Sequence, residues 1–278
     1  MSGAALPGRL VLLGHPVAHS LSPVFQQAAL DAVGIPLSYE LLDVAPAELG
    51  SVLESLRQAG AAGNVTVPHK EAVAERCARS ATAELTGAVN AFRVSPAGVL
   101  EGENTDVLGF VRAVEALLPS PRPLRALRII VLGAGGAASA VCAAARTWPG
   151  SQVVLVARTR ERAERLAARW AGEVRVAASV PEAIAMLEGR PSLVVNATPV
   201  GLSGDAMPVD PRDLPAGCAV LDLTYRRGAT PLVDAALRAG LPTSDGRRML
   251  VEQGAAAFEF WLGVPAPRAV MWEALERL

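Results

Sequence analysis

At 278 residues, with 51% hydrophobic and 19% charged, the chain holds one large domain or two ordinary ones, and disorder is excluded as its theme. A net charge of −1 excludes the basic footprint of a nucleic-acid or anionic-membrane binder. No window approaches the roughly 18 uncharged apolar residues of a transmembrane helix.

The opening MSGAALPGRLVLLG lacks the basic start of a signal peptide, and its apolar run has only the length of a strand. Strands are predicted near 9–14, 37–44 and 63–67, with helices near 23–33, 46–58 and 69–78. A strand pair near 88–94 and 98–101 precedes a helix over about 106–118. PSPRPLRA, residues 119–126, cannot be helix interior and reads as a linker. A second α/β series follows: strand 128–133, helix 135–147, strand 152–157, helix 160–171, strand 173–177, helix 180–188 and strand 192–197. Strands at 218–223 and 241–243 come next, and from 247 the chain reads as helical, broken at Pro265 and Pro267.

Cys142 and Cys218 lie in apolar runs and are expected to be buried thiols; with Cys77 far from both, a reduced, cytoplasmic setting fits. His15, His19 and His69 lack metal-ligand spacing, so no metal is expected.

RIIVLGAGGAASAVCAAARTW, residues 128–148, reads as an apolar strand, a glycine turn and an alanine-rich helix. Gly133, Gly135 and Ala138 occupy the three positions of the dinucleotide fingerprint, with a methyltransferase-type site or a tight turn as the other readings. The next strand ends about 25 residues after Gly133, where an NAD enzyme places an acid against the ribose 2′-hydroxyl. Here the residues are Ala157, Arg158 and Thr159, followed by Arg160, Glu161 and Arg162, and arginines suit a 2′-phosphate. The expected cofactor is NADP. The alternative for Arg158 and Arg162 is a solvated helix start.

Asn64-Val-Thr-Val-Pro-His-Lys70 places a lysine just beyond a β-branched run stopped by proline. Such a lysine is ordinarily solvated. Other candidates gather at strand ends and turns of the same region: Ser20, Ser22, Asn64, Thr66, Asn90, Asn104, Thr105 and Asp106. Hydroxyls, amides, one ammonium and one carboxylate suit a polyhydroxylated small acid. A buried Lys70–Asp106 pair is hard to justify as a stability device, which favours a site role with lysine carrying the proton. Asp106 also reads as a helix N-cap, and the two roles are compatible.

These motifs together resemble the shikimate dehydrogenase family nearly end to end: GHPVAHSLSP, GNVTVPHK, GAVNA, GENTDVLGF, GAGGAA, ART, NATPVGL, DLTYRRGATPL and GRRMLVEQG. The resemblance implies two α/β domains, with C-terminal helices returning to the first. A substrate domain would span 1–118 plus 247–278, and a Rossmann-like NADP-binding domain 119–246. It implies reversible reduction of 3-dehydroshikimate to shikimate with NADPH. Ser20 and Ser22 would bind the substrate carboxylate, and Lys70 would transfer the proton with Asp106 as partner. Thr66, Asn90 and Asn104 would contact ring hydroxyls or hold the pocket, and Tyr225 and Gln253 would approach the substrate from the other side of the cleft. Gly133, Ala134, Gly135, Gly136 and Ala137 would line the pyrophosphate; Arg158, Thr159 and Arg162 would hold the 2′-phosphate. Asn196, Thr198 and Met249 would lie along the cofactor. No nucleic-acid or membrane partner is expected, and the chain would act as a monomer or homodimer.

Three residues depart from the family's habit. Ala157 stands where asparagine is frequent, Arg227 where proline is usual, and Gly254 where alanine is common, so more backbone freedom is expected at Gly254. The competing functions are a quinate/shikimate dehydrogenase using NAD and a non-catalytic NADP(H)-binding regulator.

Overall fold

The computed structural model describes residues 6–118, 124–170, 172–188 and 192–277. The chain forms two compact units, one reaching Gly109 and resuming at Leu250, the other running from Phe110 to Met249.

In the first unit, β1 (Leu10–Gly14), β2 (Tyr39–Asp43) and β3 (Ala62–Val65) are parallel neighbours. The short β4 (Ala78–Arg79) pairs parallel with β6 (Leu100–Glu103), and β5 (Ala91–Val94) runs antiparallel between β3 and β6. The sheet order is β2-β1-β3-β5-β6-β4. Every residue of β1 is buried because successive side chains enter opposite cores. Leu10 and Leu12 join Phe25 and Leu30 of α1 (Ser22–Ala32) on one face. Val11 and Leu13 join Leu53 and Leu56 of α2 (Leu49–Gln58), with Val73 of α3 (Lys70–Ala74), on the other.

The helices α10 (Arg247–Leu262) and α11 (Arg268–Glu276) return to the first of these faces, where Phe258, Trp261, Met271 and Leu275 complete the cluster around Phe25. Gly254 of α10 has a packing role rather than a conformational one. A Cβ there would stand 2.4 Å from Phe25 Cε2 and 3.1 Å from Gln26 Nε2, which donates to the Gly254 carbonyl at 3.0 Å. Gly254→Ala therefore meets the edge of a fully buried ring. Overpacking of about 1–3 kcal/mol outweighs the roughly 1 kcal/mol gain in helix propensity. Urea unfolding should show a net loss of stability, recovered when Phe25 is shortened to leucine; a more stable single variant would contradict this packing.

In the second unit, β7 (Arg128–Leu132), β8 (Gln152–Val156), β9 (Val174–Ala177), β10 (Leu193–Asn196), β11 (Ala219–Asp222) and β12 (Thr243–Ser244) form one parallel sheet, ordered β12-β11-β10-β7-β8-β9. This is the doubly wound order in which the chain reverses direction between β7 and β10, and ligands bind beyond the carboxyl ends of the strands there. α6 (Gly136–Ala145), α7 (Arg160–Ala168), α8 (Val180–Met186) and α9 (Pro231–Arg238) connect the strands.

The units divide within α5 (Asp106–Leu117) and α10, not at the proline run. Pro119, Pro121 and Pro123 lie outside the described residues. One helix carries Asp106 in the first unit and Phe110, whose ring lies 6.1 Å from that of Trp148, in the second. Two helices unassigned in the sequence reading complete the fold. These are α9 and the short α4 (Ala81–Thr86), each opened by a hydroxyl cap, Thr230 and Ser80. No helix among the described residues is long and apolar enough to cross a membrane.

Candidate active site

The strand of NVTVPHK ends at Val65, two residues before the sequence pattern suggests. Thr66 N still donates to the Leu13 carbonyl at 2.8 Å and Val67 O accepts from His15 N at 3.1 Å, but Val67 is already in the turn that opens α3 and is exposed. His69 is buried with its ring nitrogen 2.7 Å from the Val44 carbonyl, which anchors the turn and aims Lys70 the other way. Lys70 is not a solvated helix start. Its Nζ lies 2.6 Å from Asp106 Oδ2, with side-chain exposures of 20% and 8%. At that burial the desolvation of both charges is substantial, so the pair is weak as a stabilising device and useful as a placed ammonium.

Asp106 opens α5, and its other oxygen accepts from Asn90 Nδ2 at 2.8 Å. Asn90 Nδ2 also lies 3.0 Å from Thr105 Oγ1 and 3.1 Å from Gln253 Oε1. Lys70, Asn90, Asp106 and Gln253 thus form one hydrogen-bonded cluster drawn from α3, the approach to β5, α5 and α10. Asp106 has both oxygens engaged by protein, whereas the ammonium has three protons and, among the described residues, one acceptor.

Ser20 and Ser22 flank the start of α1, with Ser22 N donating to Ser20 Oγ at 3.2 Å. Among the described residues the hydroxyls of Ser22 and Thr66 have no hydrogen-bond partner. The loop leading to them is pinned to β2, since His15 Nδ1 lies 2.5 Å from Asp43 Oδ1 and Val17 N donates weakly to Oδ2 at 3.4 Å. The His15 contact holds the Asp43 carboxyl below its usual range.

Two amides expected near the substrate are already engaged. Asn64 accepts from the Tyr39 hydroxyl at 2.7 Å and donates to the Asn90 carbonyl at 2.9 Å. Burial pushes the Tyr39 phenol well above its ordinary value, keeping it a donor. Asn104, 2% exposed, donates to Thr86 Oγ1 and the Ala88 carbonyl, both at 2.9 Å, and accepts from Asp106 N at 3.1 Å. Of the two roles expected of Asn104, its geometry favours holding the pocket over touching ring hydroxyls.

The second unit carries the nucleotide cradle. Gly133 has φ +119°, and a Cβ there would lie 2.8 Å from the Ala197 carbonyl oxygen, so only glycine fits this turn. A Cβ on Gly135 would meet nothing within 4 Å, leaving its backbone open to a ligand. Gly136 and Ala137 begin α6, whose N-terminus has no side-chain cap and so presents free N–H groups beside Ala134 and Gly135. Ala138 is fully buried, as the small third fingerprint position requires.

Arg158, Thr159 and Arg162 are exposed at the β8–α7 junction, and neither arginine has an ion-pair partner among the described residues. Arg160 instead pairs with Glu164 at 2.8 Å. Two free guanidinium groups and no acid at 157–159 fit a 2′-phosphate better than a bare ribose. Met249 is buried, and Tyr225 is half-buried with its phenol pushed up by burial.

Asn196 is fully buried and directed into the protein. It donates to Asp222 Oδ1 at 2.8 Å and the Val200 carbonyl at 2.9 Å, and accepts from Thr198 N and Oγ1. It shapes the loop after β10, while Thr198 is held beside it and half-buried. The residue missed by sequence reasoning is Asp222. It is fully buried at the end of β11, and its two oxygens accept from Asn196, from Thr224 N and Oγ1, and from Thr230 Oγ1 at 2.7 Å. The T-x-x-x-x-x-T-P stretch after it carries the signal, a cap threonine before a helix-opening proline, that places a polar partner there. Cys142 and Cys218 are buried with thiols pushed up to about 12, so both are inert, and Cys77 is a free, half-buried thiol.

Residues 12–92 match the family model described as the shikimate dehydrogenase substrate binding domain, and residues 246–276 match the shikimate 5′-dehydrogenase C-terminal domain. The chain is 41% identical to the shikimate dehydrogenase (NADP(+)) of Methanopyrus kandleri over 95% of its own length and 93% of that protein. The chain belongs to the shikimate dehydrogenase family. Among solved structures, the shikimate dehydrogenase of Aquifex aeolicus aligns with a TM-score of 0.87 at 33% identity, covering 96% of this chain and 97% of that one. The shikimate 5-dehydrogenase of Thermus thermophilus, solved in complex with NADP(H) and shikimate, aligns with a TM-score of 0.84 at 36% identity, covering 98% and 99%.

Proposed function

We propose that the protein catalyses the NADP-dependent, reversible reduction of 3-dehydroshikimate to shikimate, a step toward chorismate and the aromatic amino acids. The observation that carries this reading is the half-buried Lys70 ammonium, held 2.6 Å from Asp106 with protons left for a substrate oxygen. The glycine cradle and uncapped α6 fit NADP, which supplies or takes the hydride when bound.

In this reading the first unit binds substrate and the second binds NADP. Ser20, Ser22 and Thr66 orient the acid through its carboxylate and a hydroxyl, with Gln253 completing the contacts from the same unit. Lys70 gives its proton to the carbonyl oxygen as that carbon is reduced and recovers one from water. In the oxidation direction Lys70 accepts the hydroxyl proton. Asp106 keeps the ammonium aimed, and Asn90 keeps Asp106 aimed. The protein works in the cytoplasm as a monomer or homodimer, without nucleic-acid or membrane partners; the three free thiols suit that compartment.

The NAD-linked quinate/shikimate reading is disfavoured by Arg158, which has no ion-pair partner among the described residues, and by the lack of an acid at 157–159. Purified protein with shikimate should reduce NADP with a kcat/KM far above that for NAD. Arg158→Ala should weaken NADP use by about tenfold or more, as loss of a charge-assisted contact of about 1.5–3 kcal/mol implies, and leave NAD use little changed. Equal use of both cofactors would instead favour the quinate/shikimate reading. NADPH binding without turnover of any cyclohexene acid would establish the regulator.

A further inference from the structure

The short helix α4 joins the turn that carries Asp106 at both of its ends. At its start Ser80 Oγ accepts from Ala83 N at 3.1 Å and donates to Glu103 Oε1 at 2.8 Å, and the same carboxylate oxygen accepts from Asn104 N at 2.7 Å. Ser80 N also donates to the Gly102 carbonyl at 2.9 Å. At its end Thr86, 1% exposed, takes Asn104 Nδ2 on its hydroxyl at 2.9 Å. That hydroxyl has carbonyl acceptors at Thr82 and Ala88, at 2.9 and 3.1 Å.

The Asn104 amide has one admissible orientation in this setting. The Ala88 carbonyl can only accept, so it faces the amide nitrogen; Asp106 N can only donate, so it faces the amide oxygen. Thr86 takes the remaining amide proton. With its nitrogen held on two sides, Asn104 presents Oδ1 to the backbone N–H of Asp106 in the first turn of α5. That bond fixes where the Asp106 carboxylate begins and hence where Lys70 Nζ rests.

We propose that α4 is a brace for the reacting centre and that Thr86 is a positioning residue acting through Asn104 on the Asp106–Lys70 pair. The inference rests on the dehydrogenase reading for its kinetic consequence, and on geometry alone for its structural one. Because Thr86 acts through Asn104, its effect belongs in kcat rather than in substrate affinity.

Thr86→Val keeps the shape and removes the acceptor. In shikimate oxidation kcat should fall by about ten- to a hundredfold, because small misplacements of a catalytic group carry losses of that order, with KM for shikimate within about threefold. Thr86→Ser, which restores the hydroxyl, should return most of kcat. Leu275→Ala, a core variant of the same unit in the cluster on the opposite face of the sheet from Ala83 of α4, should lose thermal stability while keeping kcat, which separates positioning from general destabilisation. Native-state hydrogen exchange at the Asp106 amide should be faster in Thr86→Val than in wild type and be restored by serine. Wild-type exchange at Asp106, or kcat within twofold of wild type, would overturn the brace. If wild-type protein turns over no shikimate, the dehydrogenase reading fails, and exchange at Asp106 still decides the brace.

Discussion

Replacing Lys70 with alanine should lower kcat for shikimate oxidation by about 10²–10⁴, with a much smaller change in KM. Lys70 Nζ is the ammonium of the Asp106–Asn90–Gln253 cluster, and no histidine takes part in it. The carboxylate of Asp106 is already held by Asn90 and cannot replace a proton donor. Removing the lysine also leaves a buried carboxylate without its counter-ion, and breaking such a pair costs about 3–5 kcal/mol in stability. Unfolding curves must therefore accompany the kinetics. The double variant Lys70→Ala/Asp106→Asn should recover stability and recover no activity. If Lys70→Ala keeps kcat and only raises KM, the lysine binds substrate and the proton moves by another route.

The second large effect concerns Asp222, far along the chain from this chemistry. Asp222→Ala should destabilise the protein by about 3–5 kcal/mol, since several buried donors lose their acceptor and each such loss costs about 1–3 kcal/mol without strict additivity. The donors affected are Asn196 Nδ2, Thr224 N, Thr224 Oγ1 and Thr230 Oγ1. Thr230 also caps α9 through Val233 N at 3.2 Å, so the same change loosens that helix start. These bonds tie the loop after β10 to the loop after β11, beside the Gly133 turn where the sheet order reverses. NADP affinity should fall with stability, read by titration calorimetry under conditions where the variant remains folded. A variant within 1 kcal/mol of wild type would show that Asp222 is not the hub its bonds describe.

Much of the fold was legible in the sequence because the parallel strands are continuous apolar runs separated by helical stretches. The β7–Gly133–α6 segment carried both its shape and its ligand class, since only glycine fits so near Ala197 and an uncapped helix start invites phosphate. Lys70 and Asp106 were legible as a candidate pair, but not the fate of the amides around them. An asparagine at a strand end reads the same whether it faces a ligand, as a site residue, or a neighbour, as Asn104 faces Thr86. The extent of β3 was overestimated by two residues because Thr66 and Val67 have strand propensity and each keeps one backbone bond beside β1, while the turn toward α3 has already begun at Val67. The proline run does not mark the division between units, which falls at Gly109 and Phe110 and at Met249 and Leu250, near the expected bounds of 118 and 247. A proline run marks where a helix cannot continue, whereas the units part inside α5, where buried contacts change sides. Gly254 ran opposite to expectation, because its missing Cβ is occupied by the Phe25 ring.

The most direct measurement is the stoichiometry of 3-dehydroshikimate reduction by purified protein, following NADPH absorbance and identifying the product by chromatography. The account predicts one shikimate formed for each NADPH oxidised, with turnover abolished by Lys70→Ala. Intact NADPH, bound by the protein beside unreacted 3-dehydroshikimate, would contradict it.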